Sequence, residues 1–321
     1  MAVNLDKPQR WKADVAASVE MYNQWFLDFA PVTFRATRIT ATTLVEASLK
    51  ATSYLRDIRP ETIRNSPGIL SMLRMTTCPT LAVDRLIGLS GANGNLVKTM
   101  EKDKKLPAKM AIATIDNELD KIGEIIKKMA DPDIFVWLER GDEPSKEEIH
   151  RSATIVADRL CGSQANPIIR NEQERRQLSK LSAWLKAVGY KEVETGARTD
   201  FKKMKPGTFS FRLNVKVFQS GSEKHVNIPI DAVIMPKNAK PNELPLLIEA
   251  KSAGDFTNTN KRRKEEAVKM SQLRHNYGDD IRFILLLCGY FDSGYLGYEA
   301  AEGIDWIWEH RIEDLAELGL L

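Results

Sequence analysis

The chain has 321 residues, 43% hydrophobic and 28% charged, ordinary values for a globular protein with room for one large domain or two at about 150 residues each. Eighteen glycines and 14 prolines exclude collagen-like and low-complexity readings, and no apolar run nears the roughly 20 residues of a membrane helix. The 47 Lys and Arg against 44 Asp and Glu leave a net charge of +3, which permits a nucleic-acid partner without demanding one. The segment from Met1 to Lys7 lacks the apolar stretch of a secretory signal. Cys78, Cys161 and Cys288 stand too far apart for a disulfide framework or a zinc cluster, so a cytoplasmic location is expected.

The first half reads as helices. Val15, Val19, Tyr22, Trp25, Phe26 and Phe29 recur on one helical face from Lys12 to Phe29, and Pro31 is expected to stop that helix. Ala111, Ile112, Ile115, Leu119, Ile122, Ile126 and Met129 repeat the pattern between Pro107 and Ala130, with Pro107 in a first turn. The three glycines from Gly88 to Asn95 predict a loop without dinucleotide or P-loop spacing. Ser145 with Glu147 and Glu148 opens a helix to about Leu160.

The second half changes character. Asn166-Pro167 predicts a new helix start, and Leu178, Leu181, Leu185 and Val188 give it an apolar stripe ending at Gly189. Phe209, Phe211, Leu213, Val215 and Val217 alternate with polar residues, predicting a strand with one buried face. Val226–Ile234 and Leu244–Lys251 are the second and third strands. A charged helix from about Thr259 to Asn276, a buried strand from Ile281 to Cys288 and a final acidic helix complete the chain. The expected architecture is α/β (α+β), with a helical region at 1–160 and a core at 161–321 ordered helix, three-strand meander, helix, strand.

The chemistry is expected at Asp231, Glu249 and Lys251. Val226, Ile228, Ile230 and Ile234 are read as one face of the second strand, turning Asp231 to the other. In the third strand Leu247, Glu249 and Lys251 oppose Leu246, Ile248 and Ala250. Two carboxylates and a lysine can then converge at the end of a sheet. Hard oxygen ligands of this kind suit Mg²⁺, which binds one or two carboxylates plus substrate phosphate and stabilises a leaving oxyanion. Lys251 can orient or activate the attacking water. A surface ion pair is the plainer alternative. Asp103-Lys104-Lys105 and Asp200-Phe201-Lys202 carry similar spacing, but only Glu249-Ala250-Lys251 ends a buried strand downstream of an aspartate.

Lys261, Arg262, Arg263 and Lys264 crowd the start of the charged helix, where the macrodipole favours anions. A bound phosphate resolves that conflict. Asn258, Thr259 and Asn260 just before them can read bases or contact phosphates, or simply form turns. A basic loop carrying Arg198, Lys202, Lys203, Lys205, Arg212 and Lys216 against Asp200 can track a nucleic-acid backbone, or remain a solvated hairpin. From Glu299 to Leu321, seven acids against one arginine leave −6, so that end is not expected to face DNA. The four histidines lack ligand spacing, and Trp306 and Trp308 read as core or interface anchors.

Helix, three strands bearing Asp then Glu-x-Lys, helix and strand resembles the PD-(D/E)xK restriction-endonuclease-like core, with Pro229-Ile230-Asp231 as a relaxed Pro-Asp pair. The stretch LLIEAKSAGDFTNTNKRRKEE from Leu246 to Glu266 is similar to the XamI-type family of type II restriction endonucleases. So are Trp11-Lys12-Ala13-Asp14, Tyr22-Asn23-Gln24-Trp25-Phe26 and Phe29-Ala30-Pro31. The resemblance implies that Asp231 and Glu249 bind Mg²⁺ with the Ala250 carbonyl, and that Lys251 positions water. A further glutamate on the first core helix is Glu172 or Glu174. It implies, too, a homodimer cutting double-stranded DNA at a short palindrome, with a cognate methyltransferase as functional partner, no membrane role, and N-terminal helices serving dimer contacts or embracing DNA. A structure-specific repair nuclease of the same fold and a catalytically inactive DNA-binding module are the competing expectations.

Overall fold

The computed structural model describes residues 2–194, 200–218, 225–257 and 259–321, with backbone alone at 260–262. The chain divides into two compact units, Met1–Phe29 with Arg170–Leu321, and Ala30–Ile169. The first 29 residues thus group with the C-terminal half, and position 160 falls inside a helix. No helix among the described residues is long and apolar enough to cross a membrane.

Helix α1 (Pro8–Ala51) runs through Pro31 instead of stopping there. An interior proline costs about 3 kcal/mol. Burial of Tyr22 before it and of Ala41, Val45 and Leu49 after it offsets that cost at about 1.5–3 kcal/mol per large apolar side chain. Thr37, Thr40, Thr42 and Thr43 each return their hydroxyl to the carbonyl four residues back, so this β-branched stretch satisfies its polar groups within the helix.

The Ala30–Ile169 unit continues with α2 (Pro60–Asn65), α3 (Leu70–Met75), α4 (Val83–Ser90), α5 (Gly94–Asp103), α6 (Ile112–Met129) and α7 (Trp137–Arg140). Leu49, Ile63, Leu70, Leu86, Leu96, Leu119, Ile122 and Trp137 share its core. Gly88 is helical, and the expected loop shrinks to the residues around Gly91, which caps α4 in the left-handed region at φ 64°. Asn93 then caps α5 by accepting from the Asn95 and Leu96 amides. Pro107 lies outside α6, because Pro107–Met110 closes a turn of its own. Gly123 has no room for a side chain: a Cβ there stands 2.6 Å from the Ile58 carbonyl oxygen.

Helix α8 (Lys146–Ala187) merges the two helices expected on either side of Asn166-Pro167, with Pro167 in its interior. Its start is a capping box: the Ser145 hydroxyl accepts from the Glu148 amide, and the Glu148 carboxylate accepts from the Ser145 amide.

The sheet has six strands in the order β1 (Lys191–Glu192), β2 (Thr208–Phe218), β3 (His225–Met235), β4 (Leu246–Ala253), β5 (Arg282–Gly289) and β6 (Asp305–Trp308). β2, β3 and β4 form an antiparallel meander. β4, β5 and β6 run parallel, and parallel neighbours need crossovers, supplied by α9 (Thr259–Tyr277) and α10 (Ser293–Ala301). The molecule is a mixed α+β protein with a mixed sheet. The expected acidic C-terminal helix is instead α10, β6 and a 3-10 segment, Glu309–Leu318. Alternation was hidden there because all four residues of Asp305–Trp308 are buried.

Each sheet face carries its own core. Leu181 and Leu185 of α8 pack with Phe209, Ala232, Ile234, Leu246, Ile248, Ile284 and Leu286. Met270 and Leu273 of α9 and Leu296 of α10 pack with Val215, Ile228, Ile230, Val233, Leu247 and Leu285. β5 is covered on both sides, which explains its unbroken apolar run.

Two same-face expectations fail here. Phe209 belongs to one core and Leu213, Val215 and Val217 to the other; Ile228 and Ile230 are likewise separated from Ile234. Pairing between β2 and β3 skips Arg212 and Asp231, and Arg212 takes a left-handed backbone at φ 54°. A residue in that region breaks the period-two alternation, so both strands exchange faces at this point.

Candidate active site

That exchange places Asp231. The β3–β4 ladder ends at Ala232 and Ile248, so Asp231 and Glu249 stand one step beyond it, where the strands part. The freed Ala250 amide donates to Asp231 Oδ2 at 2.8 Å. Burial, and then the neighbouring Glu249 charge, push the Asp231 carboxyl up to about 6.

Glu249 is 6% exposed. Its Oε1 meets Lys251 Nζ at 3.1 Å and Lys269 Nζ at 2.6 Å, while its Oε2 is buried with no hydrogen-bond partner among the described residues. Burial opposes the charge on Lys251, yet the Glu249, Glu266 and Asp231 carboxylates outweigh it and hold the ammonium above its ordinary range. The three expected residues are therefore brought together.

Among the described residues no three or more His, Cys, Asp or Glu side chains form a metal cage. Mg²⁺ does not require one, because water and substrate phosphate complete its octahedron. A buried carboxylate oxygen with no donor among the described residues, beside a second carboxylate whose pKa is raised, is a donor set that a divalent cation fits.

Glu172 and Glu174 part company. Glu172 is held by Arg175 on the same helix, which lowers its pKa. Glu174 pairs with Arg212 at 2.9 Å, and its charge reaches Asp231, so of the two it is the one beside the site.

The expected DNA contacts are dispersed. Thr259 is buried, and its hydroxyl donates to the Phe256 carbonyl, closing the turn before α9. Arg263 lies over the Tyr298 ring at 4.8 Å, and Lys264 is exposed. Asn258, Arg198 and the side chains of Asn260, Lys261 and Arg262 lie outside the described residues. Lys202, Lys203 and Lys205 are exposed; Lys202 and Lys216 line a cavity of about 470 Å³ with Asn214, Asn227 and Tyr277. Phe201 and Phe209, which flank these lysines, are buried in separate cores.

Sequence reasoning missed the helical supports. Gln177 donates to the Lys251 and Leu286 carbonyls at 3.2 and 3.0 Å. Gln173 accepts from the Ser252 hydroxyl and donates to Tyr22. Gln173, Gln177, Leu181 and Leu185 follow one another at four-residue spacing, so two amides extending an apolar stripe were the available signal. Gln177→Leu is expected to lower stability by about 1–3 kcal/mol, measured by urea unfolding, and to slow cleavage about tenfold because β4 loses an anchor at Lys251. Unchanged cleavage by a destabilised protein would restrict Gln177 to a structural role.

The N-terminal motif docks on the same unit. Trp11 donates to the Asn4 carbonyl and meets Trp306 edge-on at 5.5 Å. Asp14 pairs with Arg311 at 2.6 Å, and Asn23 accepts from Tyr290.

The mixed sheet thus brings the buried Glu249 and the half-buried Asp231 and Lys251 together where two strands part. The family model of the XamI restriction endonuclease matches residues 53–308. The chain is 51% identical over 317 residues, 99% of each protein, to the type II restriction enzyme SalI of Streptomyces albus G. It belongs to the XamI restriction endonuclease family, and its enzyme class is that of a type II restriction endonuclease. Protein VC1899 from Vibrio cholerae, a solved structure, aligns over 80% of this chain at 14% identity and a TM-score of 0.30; the chain spans 55% of that protein's length.

Proposed function

We propose that the protein is a Mg²⁺-dependent endonuclease that hydrolyses double-stranded DNA at a short palindromic site, acting as a cytoplasmic homodimer alongside a cognate methyltransferase. Its centre is a PD-(D/E)xK core at Asp231, Glu249 and Lys251. The supporting observation is Glu249 Oε2, buried and without a partner among the described residues, beside Asp231 at the parting of β3 and β4. Asp231, Glu249 and the Ala250 carbonyl would hold the ion, which when bound polarises the phosphodiester and stabilises its leaving oxyanion. Lys251 is favoured in its charged form by its carboxylate neighbours. It orients the attacking water and offsets the charge gathered at phosphorus. Two-fold symmetric sites match two-fold proteins, which supports the dimer. The basic helix start and the Lys202–Lys205 loop are assigned to backbone contact.

Digestion of unmethylated phage DNA with Mg²⁺ tests this reading. A discrete band pattern, and killing of a host that lacks the methyltransferase, are expected. A smear, or cutting confined to branched DNA in a tolerant host, overturns it in favour of repair.

A further inference from the structure

Glu266 is wholly buried on α9, one step along the stripe that continues to Met270 and Leu273. A carboxylate there is unfavourable unless charged or donor groups meet it. The Tyr295 hydroxyl of α10 donates to its Oε2 at 2.6 Å, and its Oε1 lies 3.6 Å from Lys251 Nζ. Lys251 is thus gripped by two carboxylates, Glu249 from its own strand and Glu266 from the helix covering it. The two do different work. Glu249 is shared with Lys269 and, on the reading above, with a metal ion, whereas Glu266 faces only inward.

We propose that Glu266, clamped by Tyr295, is a positioning residue for the cleavage reaction, a second anchor that keeps the Lys251 ammonium in place when Glu249 engages a metal. The inference rests on Lys251 being the group that orients water. Glu299 of α10, also fully buried, backs this pair. Its oxygens have no donor among the described residues, and burial with the Glu266 charge keeps its proton on up to about 9. Glu299 therefore adds no second negative charge behind Glu266.

The test compares Glu266→Gln, Glu266→Asp, Tyr295→Phe and Lys251→Ala in single-turnover cleavage of one duplex fragment that the parent protein cuts. Saturating protein separates chemistry from binding. Glu266→Gln is expected to slow cleavage about 100-fold, the scale of a 1 Å misplacement, while affinity for the same fragment in Ca²⁺ stays within about twofold. Glu266→Asp regains part of the rate, and the near-isosteric Tyr295→Phe loses about tenfold. Parent-like cleavage by Glu266→Gln beside an inactive Lys251→Ala overturns the inference and leaves the site standing. Cleavage by Lys251→Ala overturns the site itself. Thermal melts distinguish an anchoring from a merely structural role. Glu266→Gln should shift the melting temperature differently, by about 2 °C or more, in parent and Lys251→Met backgrounds. Equal shifts overturn the inference.

Discussion

Cleavage by the Asp231→Ala protein is expected to fall on the order of 10³-fold or more, the loss that follows when a metal-assisted step worth several kcal/mol is removed. Binding of the same duplex in Ca²⁺ should stay within about tenfold of the parent, because Asp231 adds a negative charge to the surface that receives phosphate and supplies no base contact. Chelation with EDTA should abolish cleavage by the parent, and Mg²⁺ should restore it. The proposed role rests on its position: its side chain accepts from Ala250 at the point where ladder pairing ends, and burial beside Glu249 raises its pKa. A purely structural carboxylate in that place gains when neutralised. Full cleavage by Asp231→Ala would therefore withdraw the metal assignment, and a protein that neither cuts nor binds DNA would move Asp231 from chemistry to recognition.

Much of the centre was legible because strand parity is a short-range property. Leu247, Glu249 and Lys251 alternate with Leu246, Ile248 and Ala250 in sequence, and the cores divide these apolar neighbours in the same way, Leu247 to one and Leu246 and Ile248 to the other. Asp231 was reached by faulty parity. Ile234 was counted with Ile230, although the two lie in different cores. The fault arises at Arg212, whose left-handed backbone no composition rule assigns to an arginine. Both long helices were cut at prolines because the local cost of a proline is visible in sequence, whereas the burial that outweighs it is tertiary. β6 went unseen since Trp306, Ile307 and Trp308 are buried together and leave no polar alternation. Glu266 follows almost directly on the basic run 261–264. Its place on a stripe with Met270 and Leu273 was the overlooked sign that this charge points inward.

Glu299→Gln should stabilise the protein, and the gain should grow with pH. The folded protein holds the Glu299 proton up to about 9, against an ordinary value of 4.5. Burial is the chief cause, followed by the Glu266 charge, with Glu302 adding a smaller push and the nearby Tyr295 hydroxyl opposing it. Between those pH values the unfolded chain has released a proton that the folded chain keeps, so stability falls as pH rises. The contribution is complete below about 4.5 and is lost on approaching 9. Glutamine has nothing to release and can donate an N–H to Glu266 where the protonated acid donates an O–H. Its advantage should be near zero at pH 4.5 and rise by about 1.4 kcal/mol per pH unit, to an upper bound of about 4 kcal/mol near pH 7.5. Urea unfolding of both proteins at pH 5, 6.5 and 8 measures the slope, from which any fixed packing difference between the side chains cancels. A constant gap across that range would mean that Glu299 ionises freely in the folded state, and that two charges, not one, stand behind Lys251.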